Sequence, residues 1–148
     1  MELSYCVSSS LTADPVAITK VQIGSFSNPS GKSTYTDFMN LTANMNRGQT
    51  YNVTITTDST FWPANVRIWI DYNRNGVLND TGEKVFEGWM QDQQSGQPIT
   101  GSFTVPSSSV VTGQKLVMRI SLRVNGYRNV CEKNDGKGEV EDYGVLIQ

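Results

Sequence analysis

Leu116-Val117-Met118-Arg119-Ile120-Ser121-Leu122-Arg123-Val124 is the stretch that settles the architecture. Leu116, Met118, Ile120, Leu122 and Val124 fall on one side of an extended chain. Val117, Arg119, Ser121 and Arg123 fall on the other. A period of two over nine residues is the pattern of a strand with one face in a core, and no helical period fits it. The same alternation recurs on both sides of it. Val53 and Ile55 alternate with Asn52, Thr54 and Thr56, and Val66, Ile68 and Ile70 with Arg67, Trp69 and Asp71. Ile99, Gly101, Phe103 and Val105 alternate with Thr100, Ser102 and Thr104, and Tyr143, Val145 and Ile147 close the chain in the same way. Shorter strand candidates are 16–23, 34–42 and 84–89. Turn formers lie between them: Asn28-Pro29-Ser30-Gly31, Asn46-Arg47-Gly48, Asn75-Gly76, Ser95-Gly96 and Asn125-Gly126. About eight short strands with this spacing predict an all-β antiparallel sandwich, jelly-roll-like or immunoglobulin-like. No repeat, linker or low-complexity segment interrupts it, so residues 1–148 read as one domain.

Composition narrows the function. Twelve Lys and Arg against fourteen Asp and Glu leave a net charge of −2, which argues against a nucleic-acid partner. There is no His, which excludes Ser-His-Asp and Cys-His catalysis and any histidine-ligated metal. Two Cys cannot build a four-thiolate zinc site. Ser, Thr, Asn and Gln make up 49 of the 148 residues, the balance of a secreted or cell-surface β-domain; a small cytosolic protein is the alternative. No apolar run is long enough to insert in a membrane, and the first residues lack a basic and then apolar leader. That start is expected of a module taken from a larger protein or of a mature chain. In a secreted chain an even pair of cysteines bonds, so Cys6 and Cys131 are expected to close a disulfide, two buried thiols being the alternative.

Two stretches carry chemistry. The first is Asp71-Tyr72-Asn73-Arg74-Asn75-Gly76-Val77-Leu78-Asn79-Asp80-Thr81-Gly82-Glu83. Its oxygen-bearing side chains fall at loop positions 1, 3, 5 and 9, and Gly76 sits where an EF-hand-type loop needs its sharp turn. The acid that should stand at position 12 stands one later, at Glu83, and a strand precedes the loop. One Ca²⁺ is expected there. Its ligands would be Asp71, Asn73, Asn75 and Glu83, a carbonyl near Val77, and an oxygen from Asn79 or Asp80. A polar hairpin closed by its own Asx turns is the alternative.

The second is Gly138-Glu139-Val140-Glu141-Asp142-Tyr143. Glu139 and Glu141 share a face about 6–7 Å apart on an extended chain, near the spacing of a glycosidase pair. A hydrolase using them is therefore one reading. Carboxylates paired with Arg119, Arg123 or Lys137 are the other, and since glycosidase acids come from separate elements across a cleft, no catalytic residues are expected here.

With these residues the chain resembles the GEVED domain family of secreted and surface bacterial proteins. Tyr5-Cys6, Tyr35-Thr36-Asp37-Phe38, Trp69-Ile70-Asp71-Tyr72-Asn73 running into Gly76 and Gly82-Glu83, Met118-Arg119-Ile120 and Cys131 precede the motif in family order. The resemblance implies a β-sandwich accessory module without activity of its own, carried beside covalently linked catalytic or adhesin domains. The chain departs from the family's more acidic pattern at Asn75, Val77 and Asn79.

Aromatic residues give the last lead. Trp62, Trp89 and Tyr127 fall in or beside loops with Asn65, Asp92, Gln93, Asn125 and Arg128 nearby, which suits stacking on an extracellular polysaccharide. Core filling by the same rings is the alternative. Trp69 is expected to pack under Asp142-Tyr143. The sequence thus predicts a non-catalytic, calcium-stabilised module of a secreted or surface protein that binds polysaccharide, with a structural or protein-binding spacer as the alternative.

Overall fold

The structure, a computed structural model, describes residues 3–59, 62–90 and 97–148. These form nine strands and no helix: β1 (Ile18–Ile23), β2 (Phe26–Pro29), β3 (Thr36–Met45), β4 (Thr50–Thr57), β5 (Ala64–Ile70), β6 (Lys84–Met90), β7 (Ile99–Thr104), β8 (Lys115–Val124) and β9 (Gly138–Ile147). A four-stranded sheet runs β2-β1-β4-β7 and a five-stranded sheet runs β3-β9-β8-β5-β6. The all-β sandwich is as the alternation predicts, with two corrections. Nine strands stand where about eight are expected, because Asn28 and Pro29 belong to edge strand β2 and the turn falls four residues earlier, at Gly24 with φ 57°. Pro29 is tolerated there because an edge strand has a side that needs no ladder donor. The five-stranded sheet is mixed rather than antiparallel, since β3 pairs β9 in parallel. Their register slips between Phe38 and Thr42, so residues 39–41 bulge out of the ladder.

The inner faces meet in one apolar core. Val21, Ile23, Val53 and Ile55 come from the four-stranded sheet, and Val66, Ile68, Leu116, Met118, Ile120, Leu122, Val145 and Ile147 from the other. The two sheets also close at one side, where Phe86 of β6 lies against Gly88 and Gly101 so closely that an added Cβ at either would fall within 2.7 Å of its ring.

The expected outward residues of β8 do point away from this core, yet Arg119 and Ser121 are buried. The N-terminal segment and the 125–137 loop cover that face. Under them Trp69, Leu78, Val117 and Val130 form a second, small core with Tyr5 and Met39. Trp69 therefore packs under the Val130 loop rather than under Asp142-Tyr143. It sits in one cross-strand row with Arg119 and Asp142.

Candidate functional site

The row of β9 that carries the sequence motif is built from the backbone outward. Gly138 has φ 137°, and a Cβ there would lie 2.0 Å from the carbonyl oxygen of Leu122. Only glycine lets β9 start that close to β8. Next, Glu139 and Glu141 both face inward, opposite Leu122 and Ile120, and both are fully buried. Glu139 Oε2 accepts the N–H of Ile18 at 2.8 Å, which ties the five-stranded sheet to the first residue of β1. Glu141 Oε1 accepts the Tyr143 hydroxyl at 2.8 Å, and that hydroxyl accepts Asn28 Nδ2 at 2.9 Å. The Tyr143 ring lies edge-on to Phe26 and stacked on Phe38, with centroids 5.5 and 5.2 Å away. The motif thus bridges β9 to β1, β2 and β3.

Burial sets the charge of this pair. Loss of water, followed by the neighbouring charge of Glu141, pushes Glu139 up to about 8, against the opposing N–H of Ile18. Burial also raises Glu141, against the hydroxyls of Ser30 and Tyr143. Glu139 Oε1 and Glu141 Oε2 have no hydrogen-bond partner, and a proton on either neutralises an otherwise costly buried charge. Four surface cavities among the described residues, of about 180 to about 470 Å³, are lined by neither glutamate.

Asp142 points the other way. Arg119 grips it with Nε to Oδ1 at 2.8 Å and Nη2 to Oδ2 at 3.0 Å, both side chains buried. This is one of the pairings the sequence allowed. Tyr35 donates to Asp142 Oδ2 at 2.7 Å, and Arg119 Nη1 donates to the Val130 carbonyl at 2.9 Å. The disulfide between Cys6 and Cys131, Cα atoms 5.5 Å apart, clamps the N-terminal segment over this pair, with Cys6 Sγ 3.4 Å from Arg119. Arg128 is fully buried and donates to Ser121 Oγ, the Leu122 carbonyl and the Asp135 carbonyl. Burial lowers it to about 10, with Asp135 opposing. It holds the 125–137 loop down, and nothing in the local sequence marks it for that.

In the 71–83 loop the candidate ligands gather in two groups. Asp71 is fully buried and accepts the N–H groups of Asn75 and Gly76 at 3.2 and 2.9 Å and the Tyr5 hydroxyl at 2.6 Å. Asp80 Oδ2 accepts the amides of Asn73 and Asn75 at 3.1 and 2.6 Å. Between the groups, Glu83 Oε2 accepts Asn73 N–H at 3.4 Å, and Oε1 is buried without a partner. Burial raises Glu83, with the charges of Asp71 and Asp80 adding to it. Val77 is exposed, and its N–H is used by Asn75 Oδ1; Asn79 lines a groove together with Asp80, Arg67 and Lys84. Among the described residues no three acidic side chains stand together as a metal cluster. Any cation here would rest on amide and carbonyl oxygens besides Glu83 and Asp80.

The aromatic candidates are scattered. Trp62 is partly buried on the main core with Lys137 Nζ 4.8 Å above its ring. Tyr127 has Arg67 4.7 Å over its ring. Trp89, on β6, is 56% exposed. Asn65 is buried and donates to the Arg123 carbonyl; Asp92, Gln93 and the Ser95-Gly96 turn lie outside the described residues.

A two-sheet sandwich whose motif carboxylates are built into the layer contacts defines an all-β domain held by an apolar core and by the buried hydrogen bonds of that motif. Residues 65–146 match the GEVED domain, more than half of the chain, and the protein belongs to that family. No curated protein matches it. Among solved structures it is similar to "R. flavefaciens' third ScaB cohesin in complex with a group 1 dockerin", with 16% identity and a TM-score of 0.33 over 75% of this chain and 93% of that one.

Proposed function

We propose that this domain is a non-catalytic accessory module of an extracellular protein, working as a structural or protein-facing unit beside covalently linked domains. The observation that carries the reading is the complete burial of Glu139 and Glu141 inside the sandwich. A hydrolytic pair must face a cleft wide enough for a sugar and a water; these two face a core and hold β1 and Tyr143. The disulfide and the surface rich in hydroxyls and amides support an oxidising, extracellular setting.

Polysaccharide binding is the second reading, and the exposed ring of Trp89 is the observation that favours it. Trp62 and Tyr127, each with a cation over the ring, support it less. We also place a weak Ca²⁺ site at the 71–83 loop, because a buried carboxylate oxygen of Glu83 lacks a partner beside Asp80, Asn73 and Asn75. Its role is to stiffen the loop that supplies Leu78 to the second core.

A glycan array and a panel of glycosidase, esterase and peptidase substrates test the reading on the purified domain. Silence in both is expected. Turnover lost in Glu139→Gln or Glu141→Gln overturns it, and glycan binding lost in Trp89→Ala replaces it with the second reading.

A further inference from the structure

Residues 4–8 run as a strap over the outer face of the five-stranded sheet, with Cys6 Sγ 3.4 Å from the Arg119 guanidinium. We propose that the Cys6–Cys131 disulfide is a redox latch on this strap: closed, it seals Arg119 and Asp142; reduced, it lets the strap swing away while the sandwich stays folded. The step is thiol–disulfide exchange with a dithiol. The S–S bond breaks, two thiols remain on this chain, and the two electrons and two protons come from the dithiol, which becomes a disulfide.

Four observations carry it. First, the strap has a root and a free length. The N–H groups of Ser9, Ser10 and Leu11 donate to the carbonyls of Glu132, Thr34 and Gly136 at 2.8, 3.1 and 2.8 Å, whereas the main chain of residues 4–8 makes no backbone hydrogen bond with another described residue. A hinge therefore falls between Ser8 and Ser9. Second, the free length is poorly seated. A cavity of about 340 Å³ is lined by Tyr5 to Ser9 together with Tyr35 and Arg119. Val7 is 64% exposed, and the buried Ser8 hydroxyl has no partner. A segment with gaps beneath it and few hydrogen bonds opens at low cost once its covalent tie is gone, because release returns its conformational entropy.

Third, the latch is within reach and the sandwich does not depend on it. Cys131 is exposed and Cys6 half-buried, so a dithiol can approach the bond from solvent. Among the described residues the main apolar core takes nothing before Val16. The far end of the latch stays anchored, because Arg128 donates to the Leu122 and Asp135 carbonyls and Arg119 to the Val130 carbonyl. Fourth, what the strap covers is polar. Arg119 and Asp142 have side chains only 3% and 6% exposed, and they hold each other without help from Cys6. Opening the strap hydrates an ion pair that remains paired, which spares it the penalty of uncovering an apolar core. The hydrogen bond of the Tyr5 hydroxyl to Asp71 is the tie that competes with release, and Tyr5 also packs on the second core.

The test is ¹⁵N relaxation of the whole chain, oxidised and then reduced with dithiothreitol. On reduction the amide order parameters of residues 5–8 should fall from about 0.85 to below about 0.6, while those of residues 9–11 and of the nine strands hold. The Arg119 Nε–H should exchange with water at least about tenfold faster. Oxidised glutathione should restore both signals. Cys6→Ser with Cys131→Ser should show the open strap without reductant, and Tyr5→Phe, with the disulfide intact, should keep it closed. Unchanged order parameters on reduction would mean that other contacts hold the strap, and a strap freed by Tyr5→Phe alone would move the latch to the Asp71 hydrogen bond. Collapse of the strand amides to unfolded positions, in the reduced chain or in the double variant, would make the disulfide a staple of the whole sandwich. Each of these three results overturns the proposal.

Discussion

Arg119 and Asp142 form a two-pronged ion pair across β8 and β9, at 2.8 and 3.0 Å, beneath the segment that Cys6 and Cys131 clamp in place. The pair is buried, so its value lies in each charge having the other. Asp142→Ala leaves a buried guanidinium uncompensated and should cost about 3–5 kcal/mol. The double change Arg119→Met with Asp142→Leu should cost clearly less. Urea unfolding of the three proteins checks this; an Asp142→Ala midpoint equal to wild type contradicts it.

Gly138 is the tightest point of the motif. With Leu122 oxygen 2.0 Å from where a Cβ would stand, Gly138→Ala must push β9 off β8 at its first residue. A loss of about 3 kcal/mol or more, or failure to fold, is expected. Gly82→Ala, also at positive φ but in open space, should cost only the backbone strain, about 1 kcal/mol. Equal melting temperatures for the two variants would refute the close-approach argument.

Stability should fall as pH rises from about 4.5 to about 8. Over that window the unfolded chain releases the Glu139 proton while the folded chain keeps it, so the folded state binds more protons. Above the folded value the loss levels off. Calorimetry should show a higher melting temperature at pH 5 than at pH 8.5, after allowance for other groups through the variant. Glu139→Gln, which mimics the protonated form, should flatten this slope and melt higher than wild type at pH 8.5. Parallel slopes in the two proteins would contradict the assignment.

The Ca²⁺ site proposed at the 71–83 loop should be weak, on the order of 0.1–1 mM, because amides would replace carboxylates among its ligands. At the tight end, 10 mM calcium stabilises the fold by roughly 2.7 kcal/mol, a melting shift of roughly 5–11 °C relative to chelator. Glu83→Gln should remove the shift. Asp71→Ala should also lower the calcium-free melting temperature, since Asp71 holds the turn and Tyr5 by itself. A curve indifferent to calcium and chelator would leave the loop as a turn closed by its own hydrogen bonds.

The strands were legible wherever alternation ran long. The pattern at 116–124 named the inward set of β8 correctly, and the strands around Val53, Val66 and Ile99 followed the same logic. What the pattern could not carry was coverage. Arg119, Ser121 and Trp69 alternate as surface residues do, and irregular segments with no period of their own bury them. The glutamates of the motif posed the opposite problem. Their shared face could be read from spacing, but a carboxyl pair on the core side violates the usual partition, and the Ile18 N–H that Glu139 accepts and the Asn28 amide that reaches Glu141 only through Tyr143 lie over a hundred residues away. The parallel pairing of β3 with β9 is likewise non-local. Strand β2 was hidden by its Asn-Pro pair, which looks like a turn unless the strand is an edge.

The central claim is that Glu139 and Glu141 are sealed inside the sandwich as part of its structure. Carbon-13 NMR titration of the glutamate side-chain carboxyls tests it most directly. The account predicts that the Glu139 signal stays protonated through neutral pH and titrates near 8, with Glu141 displaced in the same direction. Both signals titrating at the ordinary value of about 4.5 would place the pair in water and contradict it.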